Sequence, residues 1–531
     1  MENGYHKIEI GKDVIESLTL GMYQDCRYVY REYIQNAADA IDKAIQKTWL
    51  KKGEDEIHVI IDNARRQISI SDNGTGIEKD KAVEVLRNIA KSTKKRGEDK
   101  GFRGIGRLGG LGYCNKLIFK TSYKGEPCKT IMVWDAERLK RIINDREKEE
   151  SAVEVLERVT TTNITAEDKD SHYFNITMEN VSSDDLLDVR SVTDYLSMVA
   201  PVEISSRFIY RQKIVDFEKE HNLSVDTYNI YVNDEQIYKP YTTDIYDYNN
   251  GKKIKVDDIL GVEFILSKDD NGNIIYWGWY TISRLKGQMK PKNLARGIRL
   301  RKENIQIGDE EICKKFFSKT EDQRFSFYYF GEIHALSKGL IPNSRRDYFG
   351  ESPECTDFER RIKLDFLKLK DLCYDAQKVR SSSATIAKGD ELRDKIAEKE
   401  EKGYTSQKER NDLQHKLEEH QKKEEQAKRQ LIKITQKIKS SNSPLKSVIE
   451  RLQQSNTMSQ KEERMSPNIA PDQEKVFNKT VYRTDAPIYS AYSKKEKKLI
   501  GKIYAAISNA IADETMREAL IGNIEKELTK K

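Results

Sequence analysis

Seven of the chain's 28 glycines fall in one short window: Gly97, Gly101, Gly104, Gly106, Gly109, Gly110 and Gly112. Backbone so poor in Cβ atoms is costly to hold in the interior of a helix or strand, so this stretch is a loop or a close approach between segments. Within it, GFRGIG (Gly101–Gly106) has the form GxxGxG. Such spacing lets successive N–H groups turn inward toward an anion, phosphate above all. A flexible surface loop has the same composition, so the window by itself leaves both readings open.

Two other features precede it. Asp72-Asn-Gly74-Thr-Gly76 follows ISIS (Ile68–Ser71), which pairs with IHVIID (Ile57–Asp62) as a hairpin-like couple of strands. A carboxylate at a strand end can accept a hydrogen bond from an exocyclic amine, and Gly74 and Gly76 clear room for a flat ring. A plain Asp-Gly turn reads identically. Upstream, YREYIQNAADAIDKA is helical, with Glu32, Asn36 and Asp39 at i, i+4 and i+7 on one stripe. Tyr33, Ile34, Ala37, Ile41 and Ala44 lie opposite. By periodicity this is an amphipathic helix with a solvated side.

In this order and spacing the three features resemble the nucleotide-binding domain of the GHKL (Bergerat-fold) ATPases. That superfamily includes gyrase B, the ninety-kilodalton heat-shock chaperones, histidine kinases and MutL. ExxxNxxDA, DxGxG and GxxGxG are its three motifs. The resemblance implies an α/β sandwich in which helices cover one face of a mixed sheet, with ATP between them under a mobile lid. Asn36 would then hold Mg²⁺ through its side-chain oxygen, with Asp39 on the same stripe toward the cofactor. Asp72 would read the adenine amine beside Gly74 and Gly76. Gly101, Gly104 and Gly106 would line the phosphates. Glu32 would orient and deprotonate the attacking water. The histidine-kinase branch typically has Asn at that place, so Glu32 favours hydrolysis. NIAKSTKK (Asn88–Lys95) is similar to the lid-side segment of the chaperone branch, where Lys91 and Ser92 would contact phosphate.

The likeness extends over residues 5–350. FGEIHALSKGLIPNSRRDYF (Phe330–Phe349) is similar to the chaperone middle-domain segment whose arginine reaches the γ-phosphate. Arg345 or Arg346 would be that arginine. GIRLRKENIQIGD resembles a middle-domain strand pair. The expected organisation is an ATP-binding domain at 1–185 and an α+β middle or transducer-like domain at 190–355. A helical, partly coiled-coil region at 356–455 follows, then a linker at 456–492 and a C-terminal helical pair at 493–531. Inside the third region SSSATIAKGD reads as a soft linker. Steps of four and three from Leu413 reach Leu417, His420, Glu424, Ala427, Leu431, Ile434 and Ile438, an imperfect heptad that predicts a short coiled coil or helical hairpin. The apolar stripes Leu499–Ile507 and Met516–Leu528 predict a homodimer tether or, alternatively, packing onto the chain's own coiled coil.

Composition sets outer bounds. At 531 residues with 37% hydrophobic side chains, the chain is long enough for several cores. The 34% charged share exceeds the usual quarter and predicts long solvated helices. A net charge of +6 does not demand a nucleic-acid partner, although Lys94, Lys95, Arg96 and the lysines near 285–302 could form a patch. Six scattered cysteines without CxxC spacing, and no apolar run of about 18 residues, predict free thiols, no membrane span and a cytoplasmic protein. Asp412, His415, Glu418, Glu419 and His420 suggest a metal site but read better as a solvated helix face. The functional expectation is an ATP-hydrolysing conformational clamp of chaperone-like or MORC-like kind, acting on an unknown protein client or partner. The alternatives are a MutL- or MORC-like ATPase acting on DNA, and an ATPase subunit of a multi-protein, defence-type complex.

Overall fold

The computed structural model describes residues 10–19, 25–89, 106–145, 150–249, 252–440, 443–444, 446, 489, 492–510 and 514–528. Lys91, Ser92, Gly101 and Gly104 lie outside these residues. The chain divides into two compact units, Met1–Asn456 and Thr457–Lys531.

The first unit opens with an eight-stranded mixed sheet. Its strands are β1 (Ile57–Asp62), β2 (Gln67–Asp72), β3 (Lys116–Ser122), β4 (Cys128–Asp135), β5 (Thr160–Ala166), β6 (Tyr173–Glu179), β7 (Ile230–Val232) and β8 (Glu235–Gln236). They lie in the order β5-β4-β3-β6-β2-β1-β7-β8, antiparallel except for the β1–β7 pair. Strict alternation along β1 to β4 puts Ile57, Val59, Ile70, Phe119 and Trp134 on one buried face. Six helices are built against that side or beside it: α1 (Asp13–Thr19), α2 (Tyr28–Gln46), α3 (Lys79–Arg87), α4 (Ala136–Asn144), α5 (Ala152–Val159) and α6 (Val189–Val199). The other face carries His58, Ser69, Ser71, Lys120 and Asn175 around an open groove. This is the α/β sandwich expected from the motifs, a helical layer on one side of a mixed sheet.

After α7 (Arg211–Glu220) a second sheet follows in the order β13-β12-β14-β11-β10-β9. Its strands are β9 (Asp244–Asn249), β10 (Lys252–Lys268), β11 (Ile274–Ser283), β12 (Gly297–Lys302), β13 (Ile305–Ile307) and β14 (Phe330–Ala335). GIRLRKENIQI is indeed a strand pair, β12 with β13, closed by Glu303 and Asn304, both at positive φ.

Two long helices complete this unit: α8 (Pro353–Lys402) and α9 (Gln407–Ser440). They pack along each other as a helical hairpin, with Leu413, Glu424, Ala427, Ile434 and Ile438 buried. SSSATIAKGD is not a linker; α8 runs through it without a break. The hydroxyls that favour turns in short peptides are absorbed within the helix, Ser381 Oγ donating to Lys378 O and Thr385 Oγ1 to Ser381 O. Ser382 and Gly389 are buried against α9, where small side chains allow close approach.

The second unit is a pair of helices, α10 (Lys494–Ala510) and α11 (Glu514–Leu528), around Tyr489, Ile500, Tyr504 and Ile521. Leu499, Ile503 and Leu520 face outward. The side chain of Met516 lies outside the described set.

Candidate functional site

Helix α2 lays Val29, Tyr30, Tyr33, Ile34, Ala37, Ala38, Ile41 and Ala44 on the sheet. The stripe of Glu32, Asn36 and Asp39 is not a plain solvated side. Asp39 is 5% exposed, and Glu32 and Asn36 are half-buried. Carboxylates are rarely held out of water on a helix that merely faces solvent.

The DNGTG segment is pinned against the same helix. Strand β2 ends at Asp72, which is buried and pairs across to Phe174 on β6. Asp72 Oδ1 accepts from Gly74 N at 2.9 Å, and Thr75 N donates to Ala40 O at 3.2 Å, fastening the turn to α2. Gly76 has φ +63°, and a Cβ there would lie 2.0 Å from Ser122 O, so no other residue fits. His172 Nδ1 closes the rim, 2.9 Å from Gly74 O.

Gly106 begins a 3₁₀ segment (Gly106–Gly112) and stands directly over Glu32; a Cβ there would come within 2.4 Å of Glu32 Oε2. Gly110 N donates to Tyr33 Oη at 3.0 Å. The end of the glycine window thus meets the α2 stripe next to its carboxylate.

The second sheet's domain closes the site from the other side. The loop after β14 is tied by the Pro342–Phe349 bridge and by Asn343 N donating to Tyr348 O. It holds Arg346 in the left-handed region at φ +55°, a conformation a non-glycine residue keeps only when its surroundings impose it. Arg346 is buried, with Nε 3.7 Å from Glu32 Oε1. Burial lowers its pKa from the ordinary arginine value, and Glu32 opposes that shift. Arg345 is exposed.

Motif reasoning overlooked Arg31. It is 2% exposed, with Nη2 3.5 Å from Glu32 Oε1 and donating to Arg345 O at 3.1 Å. Its guanidinium also sits 4.4 Å from the Tyr28 ring centroid. Helical periodicity gave no signal, because Arg31 falls on the flank of α2, between the apolar face and the Glu32 stripe. Glu32 Oε1, between two guanidiniums, has no hydrogen bond among the described residues.

A second buried ionic group was also missed. Glu332 on β14 is met by Arg301 Nε at 2.7 Å, Lys239 Nζ at 2.9 Å, Tyr241 Oη at 2.8 Å and His334 Nε2 at 3.1 Å. The adjacent cations hold the Glu332 carboxyl well below the usual range against its burial. Burial lowers His334 to about 4 and Lys239 to about 8. Arg301 Nη2 donates to Met198 O at the end of α6, tying the two sheets' domains together. Charged letters at alternate positions in otherwise apolar strands, Arg299 with Arg301 and Glu332 with His334, were the available clue.

The set around His415 stays a helix face. His415 and Glu419 are exposed and 3.8 Å apart, and no three His, Cys, Asp or Glu among the described residues are placed to hold a metal. All six cysteines are free thiols, and no described helix is long and apolar enough to cross a membrane.

Residues 25–170 match the family model described as histidine kinase-, DNA gyrase B-, and HSP90-like ATPase. The chain is similar to chaperone protein HtpG of Yersinia pestis, 29% identical over 143 residues. It is likewise similar to HtpG of Shewanella denitrificans, 30% identical over 145 residues, and of Escherichia coli O1:K1 at 29%. Each match covers 24% of this chain and 23% of the relative, so the likeness spans about a quarter of either protein.

Proposed function

We propose that residues 25–170, which match the ATPase family model and resemble HtpG, form a GHKL nucleotide domain, and that this chain is an Mg²⁺-dependent ATPase whose second domain docks on the nucleotide as a conformational clamp. The observation that carries this reading is the meeting of Glu32, Gly106 and Arg346, drawn from three distant parts of the chain.

The residues fit ATP with its metal. Gly106 lacks the Cβ that would crowd the carboxylate, and Gly76 keeps the turn after Asp72 tight against β3. Asn36, one helical turn beyond Glu32, offers a neutral oxygen, and Mg²⁺ typically takes only one or two protein ligands beside phosphate and water. When bound, the metal neutralises phosphate charge. In this reading Asp72 accepts from the adenine amine. Glu32 takes the proton of the attacking water. Arg346 stabilises charge on the γ-phosphate. Arg346 is the better of the two arginines for this, being buried beside Glu32 while Arg345 is exposed. Lys91, Ser92, Gly101 and Gly104 keep their phosphate roles as part of the proposal.

A DNA-handling clamp is the second reading. Of the lysines near 285–302, Lys302 is buried and donates to Ser337 O, while Lys286, Lys290 and Lys292 are exposed.

Phosphate release with and without Mg²⁺ tests the proposal. Wild type should turn over ATP only with the metal. Glu32→Ala should bind ATP with affinity near wild type and release phosphate at least 10²-fold more slowly, within the range of a lost general base. Wild-type turnover in Glu32→Ala would remove the base from the scheme.

A further inference from the structure

A cleft of about 450 Å³ lies between the start of α2 with helix α6 on one side and β12, β13 and the Gly308–Glu310 turn on the other. Five carboxylates and three guanidiniums line it. Two guanidiniums are already matched, Arg27 to Asp25 at 2.8 Å and Arg299 to Glu310 at 3.5 Å, and Arg190 is exposed. Asp188 caps α6 through Arg190 N and Ser191 N, and Asp309 caps its own turn through Glu311 N. Asp194 is different. It is half-buried, burial raises its pKa while the nearby Arg190 opposes that shift, and its carboxylate makes no hydrogen bond or close ion pair among the described residues.

Carboxylates alone would mark only a wet rim. The wall also holds buried acceptors without donors. Gln306 is 2% exposed; its Nε2 donates to Gly308 O, while Oε1 accepts nothing. Tyr195 Oη is likewise buried and unbonded. Buried polar atoms are nearly always paired, so unpaired ones along a cleft point to an absent donor. The neighbouring tyrosine faces are already used, Tyr28 by Arg31 at 4.4 Å and Tyr195 by Arg27 at 5.0 Å.

We propose that this cleft binds a small organic polycation of the polyamine class, whose ammonium groups pair with Asp194 and donate to Gln306 and Tyr195. The volume is that of a small-molecule site, and the carboxylates are not grouped to hold a metal ion. Both domains contribute walls, so occupancy fastens them together. Gly308 N donates to Arg346 O at 2.8 Å, and Tyr28 lies one turn before Glu32. The ligand therefore favours the arrangement in which Arg346 faces Glu32. Its effect on turnover rests on the ATPase reading; its binding does not.

Spermidine titrated by calorimetry into the full chain without nucleotide tests the site, so an inactive ATPase leaves the readout intact. Saturable one-to-one binding is expected, at least tenfold weaker in Asp194→Asn and unchanged in Asp185→Asn, an exposed acid outside the cleft. Hydrogen exchange on the wild type should show protection at residues 25–28 and 306–310, which keeps the test independent of how the variants fold. No saturable heat, equal weakening in both variants, or protection elsewhere would overturn the site. Tighter binding of a lysine-rich peptide than of spermidine would overturn the small-cation assignment.

Discussion

Glu32 is the residue on which the proposed chemistry turns, and its surroundings are arranged by position rather than by hydrogen bonding. Its Oε1 lies 3.5 Å from Arg31 and 3.7 Å from Arg346. The two neighbouring arginines after β14 should separate cleanly. Arg346→Ala is expected to lower ATP turnover by roughly 10²–10³ with little change in affinity, as for loss of one charge-stabilising donor. Arg345→Ala is expected to stay within a factor of a few, because its side chain is exposed and, among the described residues, it is its carbonyl that is engaged, by Arg31. Steady-state kinetics of both variants decide the matter, and the reverse ranking would move the γ-phosphate contact to Arg345. Glu32, Asn36 and Asp72 were readable as motif letters. Arg31 was not, since nothing in its spacing distinguishes a guanidinium turned inward from one in solvent.

Among the elements, α8 shows how packing overrides local composition. Ser, Thr and Gly in a row argue for a break by propensity. The helix persists because that stretch packs against α9, with Ser382 Oγ donating to Gln430 Oε1 and Thr385 O 2.7 Å from His420 Nε2. Glu424 of α9 is 3% exposed, bound by Arg393 of α8 through both oxygens at 2.9 Å and by Lys428 at 2.7 Å. A Cβ on Gly389 would stand 2.4 Å from Glu424 Oε2. Gly389→Leu should therefore displace the buried carboxylate and cost about 1–3 kcal/mol, the usual range for overpacking. A urea midpoint equal to wild type would show that the hairpin accommodates the side chain. The heptad count placed α9's buried stripe correctly, because apolar periodicity depends only on the chain itself. Its partner stretch could not be read that way, since the part of α8 that meets Glu424 and Gln430 carries Ser382, Gly389 and Arg393 rather than an apolar stripe.

At the scale of the molecule, the ion cluster around Glu332 ties the two sheets' domains to each other. His334 is held to about 4, below its ordinary 6.5, because burial disfavours the imidazolium. The unfolded chain then binds a proton between these values that the folded chain does not, so this residue makes stability fall as pH drops from 6.5 toward 4. Glu218, raised to about 7 by burial, contributes the opposite slope from its ordinary 4.5 up to about 7. The His334 contribution is read as the difference between wild type and His334→Gln. Urea midpoints at pH 7 and pH 5 should drop further in wild type than in the variant, and parallel losses would assign the slope elsewhere. A second prediction concerns Thr457–Lys531. Two short helices bury little surface for themselves, and Leu499, Ile503 and Leu520 remain 59%, 44% and 40% exposed. The full chain is expected to be a dimer through this face, and deletion after Ser490 to give a monomer by light scattering. A truncated dimer would place the contact in the first unit.

By itself, the sequence determined what short-range rules determine. Alternation set the buried face of the first sheet, helical spacing set the stripe of Glu32, Asn36 and Asp39, and the motif order pointed to the family model that residues 25–170 match. Tertiary structure decided everything that needs two distant segments at once. It chose Arg346 over Arg345 as the arginine facing Glu32, turned Arg31 inward, and gathered Lys239, Arg301 and His334 around Glu332. It also carried α8 through a stretch that reads as a linker. The physical reason is common to all of these. A charge or a small residue takes its meaning from what it is buried against, and burial is a property of the packed fold rather than of the local chain.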